Sequence, residues 1–306
     1  MKKIAIIGAG AMGSLFGALL AESGTEVLLC DIWSDHVTAI NQDGLQVEQE
    51  GKTRTVRIHA TTDPDEIGHA DLVMIFVKST QTAQAAETAA GIAGPNGLLM
   101  TLQNGMGNAD LISQCVDPSQ VIAGTTSHGA TVIGPGMIRH AGKGPTTIGS
   151  WLKADSIPES VSEIADIFNR AGIEAKTVID VRPVIWEKLL VNIGINAITA
   201  LTGIKNGQIV NLDATRNLSR NAVEEARTVA AAQGVKTRSD AVSHVFQIAE
   251  ATSANRSSMG QDVDHKRQTE IGAINGFIVN EANRLGLKAP VNKTLTALIE
   301  TLQAHY

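Results

Sequence analysis

The chain has 306 residues, 43% hydrophobic, 18% charged and only 3% aromatic, with 25 Lys and Arg against 31 Asp and Glu for a formal net charge of −6. That length holds more than one typical domain and can bury a large core. An acidic balance without a basic block excludes a protein that lives by neutralising nucleic-acid phosphates. Cys30 and Cys115 are the only cysteines. With no CxxC pair and no Cys/His cluster at zinc spacing, a disulfide framework and a structural zinc site are excluded, and a reducing, cytoplasmic setting is expected.

Lys2 and Lys3 precede an uncharged run, Ile4 to Ala21, that imitates a secretory signal or a short membrane span. The glycines at 8, 10, 13 and 17 argue otherwise. Ile4, Ile6 and Ile7 crowd before them and Leu15 to Leu20 follows, so the segment reads strand, turn, helix and no membrane partner is expected. Further branched runs at Val27 to Leu29, Leu72 to Val77, Leu98 to Leu102 and Val121 to Thr125 alternate with amphipathic stretches, which implies a mainly parallel sheet covered by helices. Leu45 to His59, alternating around Glu50-Gly51, and Ala130 to Gly149 read as hairpins added to that sheet.

Beyond Val181 apolar residues recur at spacings of three and four, and helices are expected over Val184 to Thr202, Ala214 to Ala232, Ala241 to Thr252, Met259 to Leu285 and Asn292 to His305. Gly234 and Gly286 mark ends and Pro290 a break. The reading is α/β: an N-terminal Rossmann-type dinucleotide-binding domain, residues 1–180, and a C-terminal all-helical domain, residues 181–306. Helix periodicity does not separate core from interface, so a homodimer stays open.

Gly8-Ala9-Gly10-Ala11-Met12-Gly13 follows a strand and opens a helix, the context in which such glycines matter. The first permits the tight turn, the second lets backbone approach a pyrophosphate, and the third lets the helix pack on the strand. Asp31 ends the second strand, where a carboxylate accepts hydrogen bonds from the ribose hydroxyls of NAD and repels the extra phosphate of NADP. No Arg or Lys stands between Lys3 and Lys52 to hold that phosphate. In the helical half, Lys188, Asn192 and Asn196 recur at every fourth residue and share one helix face among apolar neighbours. Buried Lys and Asn need partners, which favours a site over a polar seam. Ser258 reads as a helix N-cap and Glu270 as a residue of the long helix that follows. Thr101 to Gly107 puts amide groups after a strand, at the carboxyl end of the sheet. His128 and His140 fit loop histidines better than a catalytic acid, and Asp262, Asp264 and His265 fit a solvated helix start better than metal ligands, so no metal is expected.

Together with Lys78 after Phe76-Val77, Asn104-Gly105-Met106-Gly107, Thr125-Thr126-Ser127-His128, Trp186-Glu187-Lys188, Ser257 to Asp262, and Thr269-Glu270-Ile271 with Ile274 to Phe277, the chain resembles the ketopantoate reductase family in ordered motifs along nearly its whole length. The resemblance implies reduction of 2-dehydropantoate to pantoate in pantothenate biosynthesis with an NADPH-type cofactor, Lys188 as proton donor and Glu270 as its acidic partner. It implies substrate contacts at Asn192, Asn196, Asn206, Asn255, Ser257 and Ser258, and cofactor contacts at Lys78, Asn104 and Ala130. Asp31-Ile32-Trp33 departs from the Arg that NADPH-using members often carry there, and points to NAD(H) rather than NADP(H). It is equally compatible with an NAD-dependent reductase of another bulky 2-oxo acid, similar to D-mandelate dehydrogenase. A dinucleotide-binding sensor without catalysis is the alternative of another class; it would have no use for Lys188, Asn192 and Glu270 together.

Overall fold

The computed structural model describes residues 1–306. The chain groups into two compact units, Met1–Gln103 with Asn108–Val181, and Asn104–Gly107 with Arg182–Tyr306.

The first unit runs β1 (Lys3–Ile7), α1 (Ala11–Glu22), β2 (Glu26–Cys30), α2 (Ser34–Asp43), β3 (Leu45–Gln49), β4 (Lys52–Val56), β5 (His59–Thr61), β6 (Leu72–Ile75), α3 (Thr82–Ala93), β7 (Leu98–Thr101), α4 (Asn108–Ile112), β8 (Val121–Thr126), β9 (Gly129–Gly134), β10 (Met137–Gly142), β11 (Thr146–Ser150), α5 (Glu159–Arg170) and β12 (Ala175–Thr177). The main sheet has the order β12-β11-β8-β7-β6-β1-β2-β5. Every pairing in it is parallel except β8 with β11. Ile4, Ala5 and Ile6 of β1 and all four residues of β6 are fully buried, as strands covered on both faces require, and so they read as unbroken apolar runs. Chain order reverses between β1 and β6, and ligands of open α/β sheets bind beyond the carboxyl ends of the strands at such a switch point.

The hairpins form, but not in the expected sheet. β3 and β4 pair antiparallel around Glu50 (φ 53°) and Gly51 (φ 76°), and with β9 and β10 they make a separate four-stranded sheet of order β4-β3-β10-β9. Alternation fixes which residues pair within a hairpin; it does not say which sheet receives the hairpin. Only β5 and β11, at the ends of those two segments, join the main sheet.

The second unit contains α6 (Arg182–Thr202), α7 (Asp213–Ala232), α8 (Ala241–Ala251), α9 (Ser258–Asp264), α10 (Asn275–Arg284) and α11 (Pro290–Gln303). α6 is the hub, packed against α7, α8, α9 and α11, with Trp186, Ile193 and Ala197 fully buried. By length and composition α6 could cross a membrane, yet 67% of its apolar window is buried inside the protein. Pro290 opens α11 rather than marking a break, since its fixed φ and missing N–H suit a first helical position.

The single helix expected over Met259 to Leu285 is two helices. α9 stops because Lys266 adopts φ 53°, with the Arg267 N–H donating to Asp262 O at 2.8 Å and the Lys266 N–H to Val263 O at 3.0 Å. That is a left-handed helix cap of the kind glycine usually supplies, here built on lysine. Asp262 and Asp264 therefore lie in the last turn of α9, not at a helix start, where they pair with Arg267 and Arg256. The Thr269 hydroxyl accepts from the Ile271 N–H at 3.3 Å and donates to Gln303 Oε1 at 2.9 Å, holding the break in place.

Candidate active site

The glycine loop sorts its three glycines by space. A side chain at Gly8 (φ 93°) would come within 2.7 Å of Val77 N, and one at Gly13 within 1.9 Å of Gly8 O. These two let the loop press against the chain after β6 and let α1 pack on the loop. At Gly10 an added Cβ would meet nothing within 4 Å, and no side chain caps α1 there. Open space over the middle glycine and amides at a helix start fit a pyrophosphate, so the loop suits a dinucleotide. Gly13→Ala is expected to force the loop outward, costing about 1–3 kcal/mol by overpacking and weakening NADH binding by at least about tenfold. Thermal melting and NADH titration of that variant check this.

Asp31 follows β2 directly, and the loop is tied to the same place by the Gly8 N–H donating to Cys30 O at 2.8 Å. The Trp33 N–H donates to Asp31 Oδ1 at 2.9 Å, fixing the carboxylate and leaving the rest of its acceptor capacity for ribose. Lys78 is half-buried just beyond β6. The turn before it is set by Gln103, whose Nε2 donates to Val77 O at 2.6 Å and to Thr82 Oγ1 at 2.9 Å while its Oε1 accepts from Thr101 at 2.8 Å. Ala130 lies on β9 opposite His140, partly packed against the core. His128 Nδ1 and His140 Nε2 stand 3.2 Å apart, and burial pulls both imidazoles below their ordinary range. His140 stands on β10 rather than in a loop, and its Nδ1 is enclosed without a hydrogen-bond partner; no group of three or more His, Cys, Asp or Glu is placed to hold a metal.

In the helical unit Lys188, Asn192 and Asn196 stand on consecutive turns of unbroken α6. Lys188 is half-buried, and desolvation of its ammonium pulls the pKa from 10.5 to about 8 against the opposing pull of the Glu270 carboxylate. Glu270 is not on a helix; it sits in the gap after α9, at the start of a short 3-10 turn over Ile271–Ala273. Asn104 Nδ2 lies 3.5 Å from Glu270 Oε2. That approach depends on Gly105 (φ 84°), where a Cβ would be 2.4 Å from Ala273 O, and on the Met106 N–H donating to Ala273 O at 2.9 Å.

Asn196 and Asn206 are buried, and Asn192 half-buried. Each keeps one enclosed polar atom without a hydrogen-bond partner: Nδ2 of Asn192 and Asn196, Oδ1 of Asn206. Such atoms are rare in native interiors and are open to water or a polar ligand; Ser219 Oγ and Asn275 Oδ1 of the same unit share the condition. Asn206 is held by its Nδ2 donating to Thr252 Oγ1 at 3.0 Å and its N–H to Asn255 O at 3.0 Å, so the Asn255 segment is tied to it. Asn255 and Ser258 are exposed. Ser257, not Ser258, caps α9: its buried Oγ accepts from the Gly260 N–H at 3.0 Å and from Thr199 Oγ1 at 2.7 Å. Gln103 and His36, neither assigned a role from the sequence alone, brace the turn after β6 and the turn between β9 and β10.

A doubly wound sheet with a dinucleotide-ready glycine loop, joined in one chain to a helical unit that buries Lys beside Glu and unpartnered Asn amides, defines a nicotinamide-dinucleotide-dependent oxidoreductase acting on a 2-oxo acid. Residues 4–153 match the family model described as Ketopantoate reductase PanE/ApbA, and residues 180–303 match Ketopantoate reductase PanE/ApbA C terminal. The chain belongs to the ketopantoate reductase family. It is 39% identical over 302 residues to a 2-dehydropantoate 2-reductase of Halobacterium salinarum, covering 98% of this chain and 99% of that one. Among solved structures, a PanE/ApbA family ketopantoate reductase from Ralstonia eutropha JMP134 superposes with a TM-score of 0.90 at 34% identity, covering 99% of each chain. D-mandelate dehydrogenase in ternary complex with NADH and anilino(oxo)acetate superposes with a TM-score of 0.92 at 28% identity, again over 99% of each chain.

Proposed function

We propose that this chain reduces the 2-oxo group of 2-dehydropantoate to the hydroxyl of pantoate, with NADH as the preferred cofactor and Lys188 as the proton donor. One observation carries the chemistry: a half-buried ammonium, poised near neutrality beside Glu270, on the same helix face as two Asn whose amide nitrogens lack partners. The dinucleotide, bound in its reduced form, supplies the hydride. Gly8 to Gly13 would hold its pyrophosphate, Asp31 its ribose, and Lys78, Asn104 and Ala130 would complete its contacts. Lys188 Nζ stabilises the negative charge that grows on the 2-oxo oxygen and gives it a proton. Glu270 keeps that ammonium charged in surroundings that penalise charge. Asn192, Asn196 and Asn206, with Asn255, Ser257 and Ser258, orient the substrate's carboxylate and hydroxyl without adding charge. Dinucleotide binding is thereby assigned to residues 1–180 and substrate chemistry to residues 181–306.

The match to a 2-dehydropantoate 2-reductase at 39% identity supports ketopantoate over mandelate-type substrates. Asp31 and the NADH held by the D-mandelate dehydrogenase neighbour support NADH over NADPH. Steady-state kinetics with ketopantoate and benzoylformate, each with NADH and NADPH, test both choices. Ketopantoate with NADH is expected to give the highest kcat/KM. Faster turnover of benzoylformate would overturn the substrate assignment, and binding of NADH with no consumption by either acid would overturn catalysis itself.

A further inference from the structure

Between Asn255 and Ser257, two of the proposed substrate contacts, stands Arg256, whose guanidinium is nearly saturated by the protein itself. Its Nε and Nη2 donate to the two oxygens of Asp264 as a bidentate pair, each at 2.8 Å. Its Nη1 donates to Thr199 O, in the last turn of α6, and to Ile204 O at 3.2 Å, in the segment that follows. Four bonds use four of the five N–H donors of the fork, and the side chain is only 19% exposed.

One planar group thus joins three stretches of chain: the end of α6, the segment leading to Asn206, and α9. These are the stretches that carry the proposed substrate contacts. The Asn206 N–H donates to Asn255 O at 3.0 Å, and Thr199, whose carbonyl meets Arg256, donates its hydroxyl to Ser257 Oγ at 2.7 Å. A cation at the carbonyl end of α6 also complements the helix dipole. Lysine could supply that charge but not the fork that reaches Asp264 and two carbonyls together.

Gly260, on the next turn, makes room for this arrangement. It lies within α9 and its φ is not positive, so its backbone has no need of glycine, which is a poor residue for a helix interior. An added Cβ would stand 2.6 Å from Arg256 Cζ, 2.7 Å from Nη1 and 2.9 Å from Nε. The missing side chain is explained by the guanidinium that lies across the helix there. Since the clash is with the tip of a flexible side chain, Gly260→Ala would move the fork and leave α9 intact. We propose that Arg256 is a positioning residue for the 2-oxo acid, fixing the Asn206 and Asn255–Ser258 segments against α6, and that Gly260 is the space it requires; this rests on the substrate reading above.

Kinetics with ketopantoate and NADH test this in two variants that keep the positive charge, Arg256→Lys and Gly260→Ala. Each is expected to raise KM for ketopantoate about tenfold with kcat within about twofold of wild type, because substrate contacts made equally in the ground and transition states are read in KM. NADH titration is expected to return the wild-type Kd, since the glycine loop belongs to the other unit. The double variant is expected to raise KM no further than Arg256→Lys alone, as two residues acting through one contact require. A purely structural brace would lower the thermal midpoint and leave the KM of the folded enzyme in place. Wild-type KM in either variant, or an NADH affinity that falls in step with KM, would overturn the positioning role and leave ketopantoate reduction standing. An additive double variant would overturn the link between Gly260 and Arg256. A wild type that does not turn over ketopantoate would overturn the substrate reading and this inference with it.

Discussion

Replacing Lys188 with Ala is expected to lower kcat for 2-oxo acid reduction by about 10³-fold while NADH binding survives, as measured by stopped-flow turnover and NADH titration. The size follows from two losses at one atom, since a positioned proton donor is worth about 10²–10⁴ and a charge aimed at the developing oxyanion about 10²–10³. These overlap rather than multiply, because the same ammonium supplies both. Lys188→Arg restores charge but not the proton at neutral pH, and its planar fork does not fit a site built for a compact ammonium. Unchanged turnover in Lys188→Ala would remove the centre of the proposed mechanism.

The same residue dictates the pH profile. The acid form of Lys188 is the working form, and desolvation has moved its pKa from 10.5 to about 8. Turnover is therefore expected to fall as pH rises through about 8, rather than only near the value of a solvated lysine. Glu270→Gln removes the charge that opposes desolvation, so the falling limb should move to lower pH. Stability responds with the opposite sign. Between about 8 and 10.5 the unfolded chain holds this proton and the folded chain does not, so Lys188 by itself makes folding more favourable as pH rises across that window. Loss of activity there, with the thermal midpoint not falling in parallel, separates titration of the proton donor from unfolding.

Strands buried on both faces announce themselves, because Ile4 to Ile7 and Leu72 to Ile75 contain nothing polar to confuse with a loop. The second sheet was not legible, since the hairpin signal at Glu50-Gly51 carries no information about the pairing of β3 with β10 some ninety residues on. The interruption before Glu270 was hidden for a local reason. Its left-handed cap residue is Lys266, which carries no glycine signal, and the flanking apolar spacing continues through the gap. Site residues followed the same division. Lys188, Asn192 and Asn196 share a face wherever their helix goes, so periodicity alone brought them together. His36 and Gln103 act through partners far along the chain, Gly136 for the first and Val77 and Thr82 for the second, and no spacing rule reaches that distance. The one available signal for Gln103 was its place between Thr101 and Asn104 at a strand end.

Asp31→Asn is expected to cut the preference for NADH over NADPH by about 10²-fold, read as the ratio of the two kcat/KM values. Asn keeps an oxygen for the Trp33 N–H, which Asp31 now accepts at 2.9 Å, so the turn survives while the charge goes. What is lost is repulsion: a carboxylate and a 2′-phosphate of charge about −1.5 to −2 at close range oppose one another by a few kcal/mol at surface-like dielectric. The variant should become indifferent rather than reversed, because the segment between Lys3 and Lys52 offers no Arg or Lys to attract the phosphate. Raising the salt concentration should blunt the wild-type preference in the same direction, since partly exposed charges are screened. A wild type that already prefers NADPH would refute the role given to Asp31.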